Sequence, residues 1–173
     1  SRKNLCVRVQ YAIDMHMDVV PYVEINSLNY ITNRNEGLEG QFERTNPTGY
    51  SEWLDDKNRI TSGNLIKVIR LLKWLRDYKV TFTCRSVILN ALVGERISDI
   101  NLLNDANYYS DVPTTLVHVL EDLVSYLATY PSYMPNITDP ACPEVSFNHR
   151  WDNDQYLIFR DKMIYYAGKA RAA

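Results

Sequence analysis

Residues 15–24, Met-His-Met-Asp-Val-Val-Pro-Tyr-Val-Glu, set one carboxylate, Asp18, among Met17, Val19 and Val20. The run reads as a buried strand that stops at Pro21. A carboxylate in apolar surroundings costs free energy unless something pairs with it. A divalent cation is one such partner, because hard cations take carboxylate oxygens. Side chains alternate along a strand, so Asp14 and His16 share the face of Asp18, and together they could hold a metal ion. The plainer reading is a lone acid at a strand end, hydrogen-bonded or wet, with Asp14 and His16 solvated beside a turn. Asp18 is the stronger candidate because it lies deeper in the apolar run.

A second group is basic. Lys67, Arg70 and Lys73 form a stripe at helical spacing. Such a stripe can bind a polyphosphate or simply face water. Lys73 stands out, since Leu71, Leu72, Trp74 and Leu75 surround it in sequence. That places it at the edge of an apolar face, within reach of a cleft. Ser86 opens the following helix. A hydroxyl there can join backbone N–H groups in holding a phosphate, or serve only as a cap.

Composition narrows the rest. The chain has 173 residues, 46% hydrophobic and 23% charged, which suits a globular domain with a real core. A net charge of −2 gives no strong nucleic-acid signal and no pull toward an anionic membrane, so any phosphate site must be local. No apolar run reaches the ~18 residues of a membrane span. The first residues lack the basic-then-apolar pattern of a signal peptide. Cys6, Cys84 and Cys142 are odd in number and scattered, without a C-x-x-C pair, and read as reduced thiols in a cytoplasmic protein. His16, His118 and His149 are too dispersed for a metal motif. The thirteen tyrosines read as packing residues rather than base-stacking platforms.

The elements that must position these groups follow from periodicity and punctuation. Residues 5–13 and 15–25 read as strands. Two strands alone make a marginal sheet, which suggests missing partners. Residues 31–45 are polar, contain Gly37 and Gly40, and read as a long loop with a short strand near Gln41–Arg44. Asn46-Pro47 starts a helix through Tyr50, Trp53 and Leu54. The spacing predicts a helix over 61–78, with Val68, Leu71, Leu72 and Leu75 on its apolar face. Another covers 83–93 and stops at Gly94. Asp111 and Pro113 open a helix with Leu116, Leu120, Leu123, Val124 and Leu127 inward. Residues 131–149 hold four of the seven prolines and read as an ordered connection. The last helix starts at Asp152, with Gln155 placed as in a capping box. The fold class is therefore α+β, mostly helical: remnant β-strands followed by about five helices.

These motifs, in this order, resemble a known group. Met17-Asp18-Val19-Val20-Pro21 resembles the third-carboxylate strand of the template-independent nucleotidyltransferases. That group includes oligoadenylate synthetase, cyclic GMP-AMP synthase and the bacterial CD-NTases. Thr45-Asn46-Pro47-x-x-Tyr50 resembles their entry into a helical lobe. Ile69 to Asp77 resembles the helix whose lysine contacts the nucleoside triphosphate, and Ser86-Val87-Ile88-Leu89 the serine beside it. Arg150-Trp151-Asp152 through Ala173 resembles the closing helix of the bacterial members, which fit best.

The resemblance implies an architecture and a chemistry. Residues 1–30 would be the last strands of a palm, 31–45 a loop, and 46–173 the helical lobe that grips the nucleotide. Three palm carboxylates would hold two Mg2+ (or Mn2+) ions, which activate a hydroxyl and stabilise charge on the α-phosphate and the leaving pyrophosphate. Asp18 would be the third carboxylate, catalytic and metal-binding. Lys73 and Ser86 would bind the triphosphate. The product would be a cyclic or short linear oligonucleotide, a second messenger in bacterial anti-phage signalling that a downstream effector binds.

The chain departs from the pattern at one place. The group's first two carboxylates sit in a D-x-D motif after a Gly-Ser turn, and this sequence has no Gly-Ser dipeptide. Asp152-x-Asp154 has the spacing but starts a helix. The expectation is a C-terminal part of a longer enzyme, inactive without the missing N-terminal part. The alternative is a non-catalytic helical module that binds a nucleotide or a protein, and a third reading is a scaffold without ligands.

Overall fold

The computed structural model describes residues 6–11, 15–33 and 41–173. The chain divides into two compact units, residues 1–49 and 50–173.

In the first unit, β1 (Val7–Gln10) and β2 (His16–Val19) form an antiparallel ladder with Val7 opposite Val19 and Arg8 opposite Asp18. Pro21 offers no N–H to continue a ladder. The chain leaves β2 at Val20-Pro21 and enters a second sheet, in which β3 (Tyr22–Ile25), β4 (Leu28–Asn33) and β5 (Gln41–Arg44) pair in that order. The single strand expected over 15–25 is thus two strands in two sheets. Asn26 and Ser27 make the β3–β4 turn with φ of 52° and 61°. Two consecutive left-handed residues give a turn whose twist matches the flanking strands.

The buried setting expected for Asp18 is not found, because all four residues of β2 are exposed. A two-stranded ladder has no second layer to cover either face. Asp14, Gly37 and Gly40 lie outside the described residues.

The second unit is helical. Asn46 Oδ1 accepts the Gly49 N–H at 3.0 Å and caps α1 (Pro47–Ile60). A tight corner follows. Ser62 and Gly63 are left-handed, and the Gly63 N–H donates to Asn58 O at 2.8 Å. The buried Thr61 hydroxyl donates to Asn58 O at 2.9 Å and accepts the Leu65 N–H at 2.8 Å. This corner delays α2 (Asn64–Lys79) by three residues relative to the expected 61. It also sets the buried face as Leu65, Val68, Ile69 and Leu72. That is the i, i+3, i+4, i+7 stripe counted from Leu65. Leu71, expected inside, lies off that stripe and is 44% exposed.

Most of α3 (Ser86–Gly94) is buried. Gly94 ends it for a reason other than a left-handed cap, since the next residue, Glu95, stays right-handed at φ −66°. A Cβ on Gly94 would fall 2.4 Å from the Trp53 ring, so the glycine permits close approach of α1. The short α4 (Asp99–Asn104) was not expected. Ser98 caps it, but its apolar Ile100 and Leu103 face water and leave no periodic signal. Asp111 caps α5 (Val112–Ala128) by accepting the Thr114 N–H at 2.8 Å. Inside residues 131–149, β6 (Thr138–Asp139) and β7 (Cys142–Ser146) form a small hairpin. Asn148 stabilises it, accepting from the Ile137 N–H at 2.8 Å and donating to Pro135 O at 2.9 Å.

Asp152 caps α6 (Asn153–Arg171) through the Gln155 N–H at 2.8 Å. α6 packs on α5, and α2 on α3 and α5. The core between them contains Val68, Leu72, Ile88, Leu123, Phe159 and Met163. Among the described residues, five longer α-helices, one short one and small antiparallel sheets make the α+β, mostly helical class that the sequence predicts.

Candidate functional site

Three stretches of the second unit converge on one open cleft of about 930 Å³. They are the end of α2, the start of α3 and the approach to α6. α2 stops where Val80 turns left-handed at φ 51°, a strained conformation for a β-branched residue. The chain then returns through Phe82 and Cys84, both buried. Phe82 packs edge-on to Phe159 at a ring distance of 5.7 Å. The Trp151 indole N–H donates to Thr83 O at 3.1 Å and ties the far wall to this turn. Burial pushes the Cys84 thiol up to about 12, so it stays protonated and unreactive at neutral pH.

The cleft is lined by Arg76, Arg85, Ser86, His149 and Arg150, with Asp77 and Asp152 among their neighbours. Arg76 is engaged at all three of its nitrogens. Its Nε and Nη2 fork onto Asp77 at 2.7 and 3.2 Å, and its Nη1 donates to Cys84 O at 2.7 Å and Ser86 Oγ at 3.3 Å. The Asp77 carboxyl is held below its ordinary value by that guanidinium. Because Ser86 Oγ accepts from Arg76, its own proton remains for another acceptor. Ser86 is the first residue of α3 rather than its cap, and Arg85 at the cap position makes no side-chain cap bond. The cap residue's side chain therefore leaves the first-turn N–H groups of α3 uncovered.

His149 is fixed from both sides. Its Nδ1 lies 2.9 Å from Ser146 O, and its Nε2 accepts from Arg150 Nε at 3.0 Å. The carbonyl takes a donor at Nδ1 and the guanidinium an acceptor at Nε2, which together select the Nδ1–H tautomer. Neither Arg85 nor Arg150 has a carboxylate partner among the described residues.

Of the residues singled out from sequence, Ser86 lines this cleft and Lys73 does not. Lys73 sits on α2 one turn before Arg76 and is half-buried. Burial, and then the Arg76 charge, lower its pKa from the ordinary lysine value. Lys67 and Arg70 lie on the solvent face of α2. Sequence reasoning did not select Arg76, Arg85 or Arg150 as site residues. Arg85 immediately precedes α3, but only tertiary packing brings it to the cleft that Arg150 also lines.

Asp18 lies in the first unit and has a different partner from the one anticipated. Arg8, directly opposite on β1, grips both carboxylate oxygens at 2.7 Å each. This fork holds the Asp18 carboxyl below its ordinary value. His16 stands opposite Gln10. Among the described residues no group of three His, Cys, Asp or Glu side chains could hold a metal ion. One carboxylate already clasped by a guanidinium does not fit a divalent cation by itself.

Comparison with known proteins adds an independent line. No protein-family model matches the chain. The sequence is similar to the cyclic AMP-AMP-AMP synthase of Acinetobacter sp. (strain ATCC 27244 / 9458), with 26% identity over 178 aligned positions, covering 100% of this chain and 48% of the synthase. The chain thus spans about half the length of the curated relative it matches. Its fold is similar to that of a chain in the E. coli MS115-1 CdnC:HORMA-deltaN complex, with a TM-score of 0.61, 16% identity, and coverage of 98% of this chain and 57% of that one. Both comparisons support the resemblance to the bacterial CD-NTases, and the structural one supports the nucleotidyltransferase fold. No helix among the described residues is long and apolar enough to cross a membrane.

Proposed function

We propose that this chain is the nucleotide-gripping part of a CD-NTase-type nucleotidyltransferase, which joins nucleoside triphosphates into cyclic or short linear oligonucleotide signals. The observation that carries the reading is the cleft at Ser86. The Ser86 hydroxyl, the start of α3 and the Arg85 and Arg150 guanidinium groups, which have no carboxylate partner among the described residues, share one opening of nucleotide size. Ser86 donates to a phosphate oxygen there, and Lys73 approaches the triphosphate from α2.

In this reading residues 1–30 complete a palm, 31–45 connect, and 46–173 form the gripping lobe. Asp18 is the third carboxylate of the parent enzyme. Magnesium or manganese enters through the resemblance alone, since the described residues do not form a cation centre. The chain needs the remainder of the enzyme for activity, works in the bacterial cytoplasm, and supplies a signal for an anti-phage effector.

The test is made in the longer protein. Asp18→Ala abolishes nucleotide polymerisation while the far-ultraviolet circular dichroism stays unchanged, and Lys73→Ala weakens ATP binding. Wild-type turnover by the Asp18 variant would falsify the assignment.

A second reading is a non-catalytic helical module that binds a nucleotide or a protein. The Arg8–Asp18 fork favours it, since it engages both carboxylate oxygens with a guanidinium. The solved relative comes from a protein complex, which supports its protein-binding form. It expects function to survive Asp18→Asn.

A further inference from the structure

We infer that a second cavity, lined by the end of α3 and the β6–β7 hairpin, binds a small zwitterion: a free α-amino acid with an apolar side chain. The cavity measures about 320 Å³ and shares no lining residue with the Ser86 cleft. That is the small end of the range for ligand sites, which begins at roughly 300 Å³. Glu95 and Arg96 follow α3 directly, and Asp139 comes from β6. All three line this cavity, and among the described residues none of them is in an ion pair. A cation and two acids thus face one space without reaching each other.

Arg96 is held by a ring and by no acceptor. Its guanidinium carbon lies 4.0 Å from the centroid of Tyr126, which also lines the cavity. Its Nε is buried without a partner, and its side chain makes no hydrogen bond among the described residues. Asp122 on α5 feels the Arg96 charge from beyond ion-pair distance, and its oxygens take the Tyr108 hydroxyl at 3.2 and 3.1 Å instead. The terminal N–H groups of Arg96 therefore suit a carboxylate, which a guanidinium takes with both of its ends. Asp139 is the opposite pole. The Ala141 N–H donates to it at 2.9 Å, yet burial, with the charge of Glu144 adding to it, raises its carboxyl above the ordinary value. Its lost hydration is only partly replaced, and an ammonium group would complete it. Glu95 stands exposed beside Arg96. A simple anion entering here meets the carboxylates, and a simple amine meets the guanidinium. A ligand carrying both charges satisfies both poles. Leu92, Ile137 and Pro140 line the same space and give its side chain an apolar wall. The inference holds whether or not the longer protein joins nucleotides.

Isothermal titration of the 173-residue chain with leucine, phenylalanine, N-acetyl-leucine and leucinamide tests the site. Leucine or phenylalanine is expected to bind saturably. N-acetyl-leucine lacks the ammonium and leucinamide the carboxylate, and each is expected to bind at least tenfold more weakly than leucine. Arg96→Gln and Asp139→Asn are each expected to weaken the amino acid about tenfold, the loss of one charge-assisted contact. Asparagine keeps an acceptor for the Ala141 N–H, so Asp139→Asn is expected to melt as the parent does and tests the site even if Arg96→Gln fails to fold. No saturable binding of either amino acid up to about 10 mM overturns the inference. Equal binding of leucine and N-acetyl-leucine overturns it too, because the site would then read the carboxylate alone. So does leucine affinity that is unchanged in Asp139→Asn.

Discussion

The strands of the first unit and the helices of the second carry similar apolar residues and treat them in opposite ways. Met17 is 55% exposed and Tyr22 64%, while Leu123 and Phe159 are fully enclosed. Alternation writes an apolar face on a strand, but only a second layer takes that face out of water. The helices supply that layer to one another: α5 packs on α6, and α2 on both α3 and α5. Hydrophobic stabilisation scales with the area removed from water, so it concentrates in the helical unit. The paired strands rest on ladder hydrogen bonds and cross-strand contacts worth roughly 0.2–1 kcal/mol each.

The largest expected effect tests the helical side of this contrast. Phe159→Ala is expected to lower the unfolding free energy by about 3–5 kcal/mol, read by denaturant titration. Its ring meets Phe82 and Trp151, so the cavity opens beneath the cleft. Next comes Gly94→Ala, which forces a methyl group into the Trp53 ring. A loss of about 1–3 kcal/mol is expected from that overpacking. A cost near zero would mean that α1 can shift, and that the helical unit is less rigid than its burial suggests.

A smaller effect depends on pH. The Thr114 N–H holds the Asp111 carboxyl below its ordinary value. Its contribution is therefore present above the unfolded carboxylate value and disappears as pH falls through the folded one. Asp111→Ala is expected to melt lower than the parent at neutral pH, with the gap closing on acidification. A gap that stays constant with pH would assign the effect to packing. The smallest effect belongs to the strands. Tyr22→Ala is expected to change stability by no more than about 0.5 kcal/mol. A loss of several times that would show Tyr22 to be part of a core, and would end the contrast between the units.

Helix starts were the most legible features, because caps write themselves in residue type. Pro47, Asp111 and Asp152 each stand where the chain turns helical. The start of α2 was misplaced because the Thr61–Gly63 corner interrupts a continuous apolar pattern. α4 went unseen because Leu103, 84% exposed, marks no inward face. The split at Pro21 was legible as an ending but not as a change of sheet. At the candidate site, Ser86 was legible from its place at a helix start. Arg85 and Arg150 were not, because they stand 65 positions apart and meet only through tertiary packing. The Arg8 partner of Asp18 is a matter of register, which sequence alone does not specify until the turn between the strands is known.

The bond from Trp151 to Thr83 joins residues 68 positions apart. It makes the cleft a late product of synthesis. A chain emerging from its N-terminus displays α2 and α3 well before Trp151 exists, and domains fold as units once their last element is available. Closing so long a loop is entropically slow and is rewarded only when α6 docks. A nascent chain that stops before Asp152 would expose Arg76, Arg85 and Ser86 without the opposite wall. The two walls of the cleft therefore come together only after Trp151 has been made.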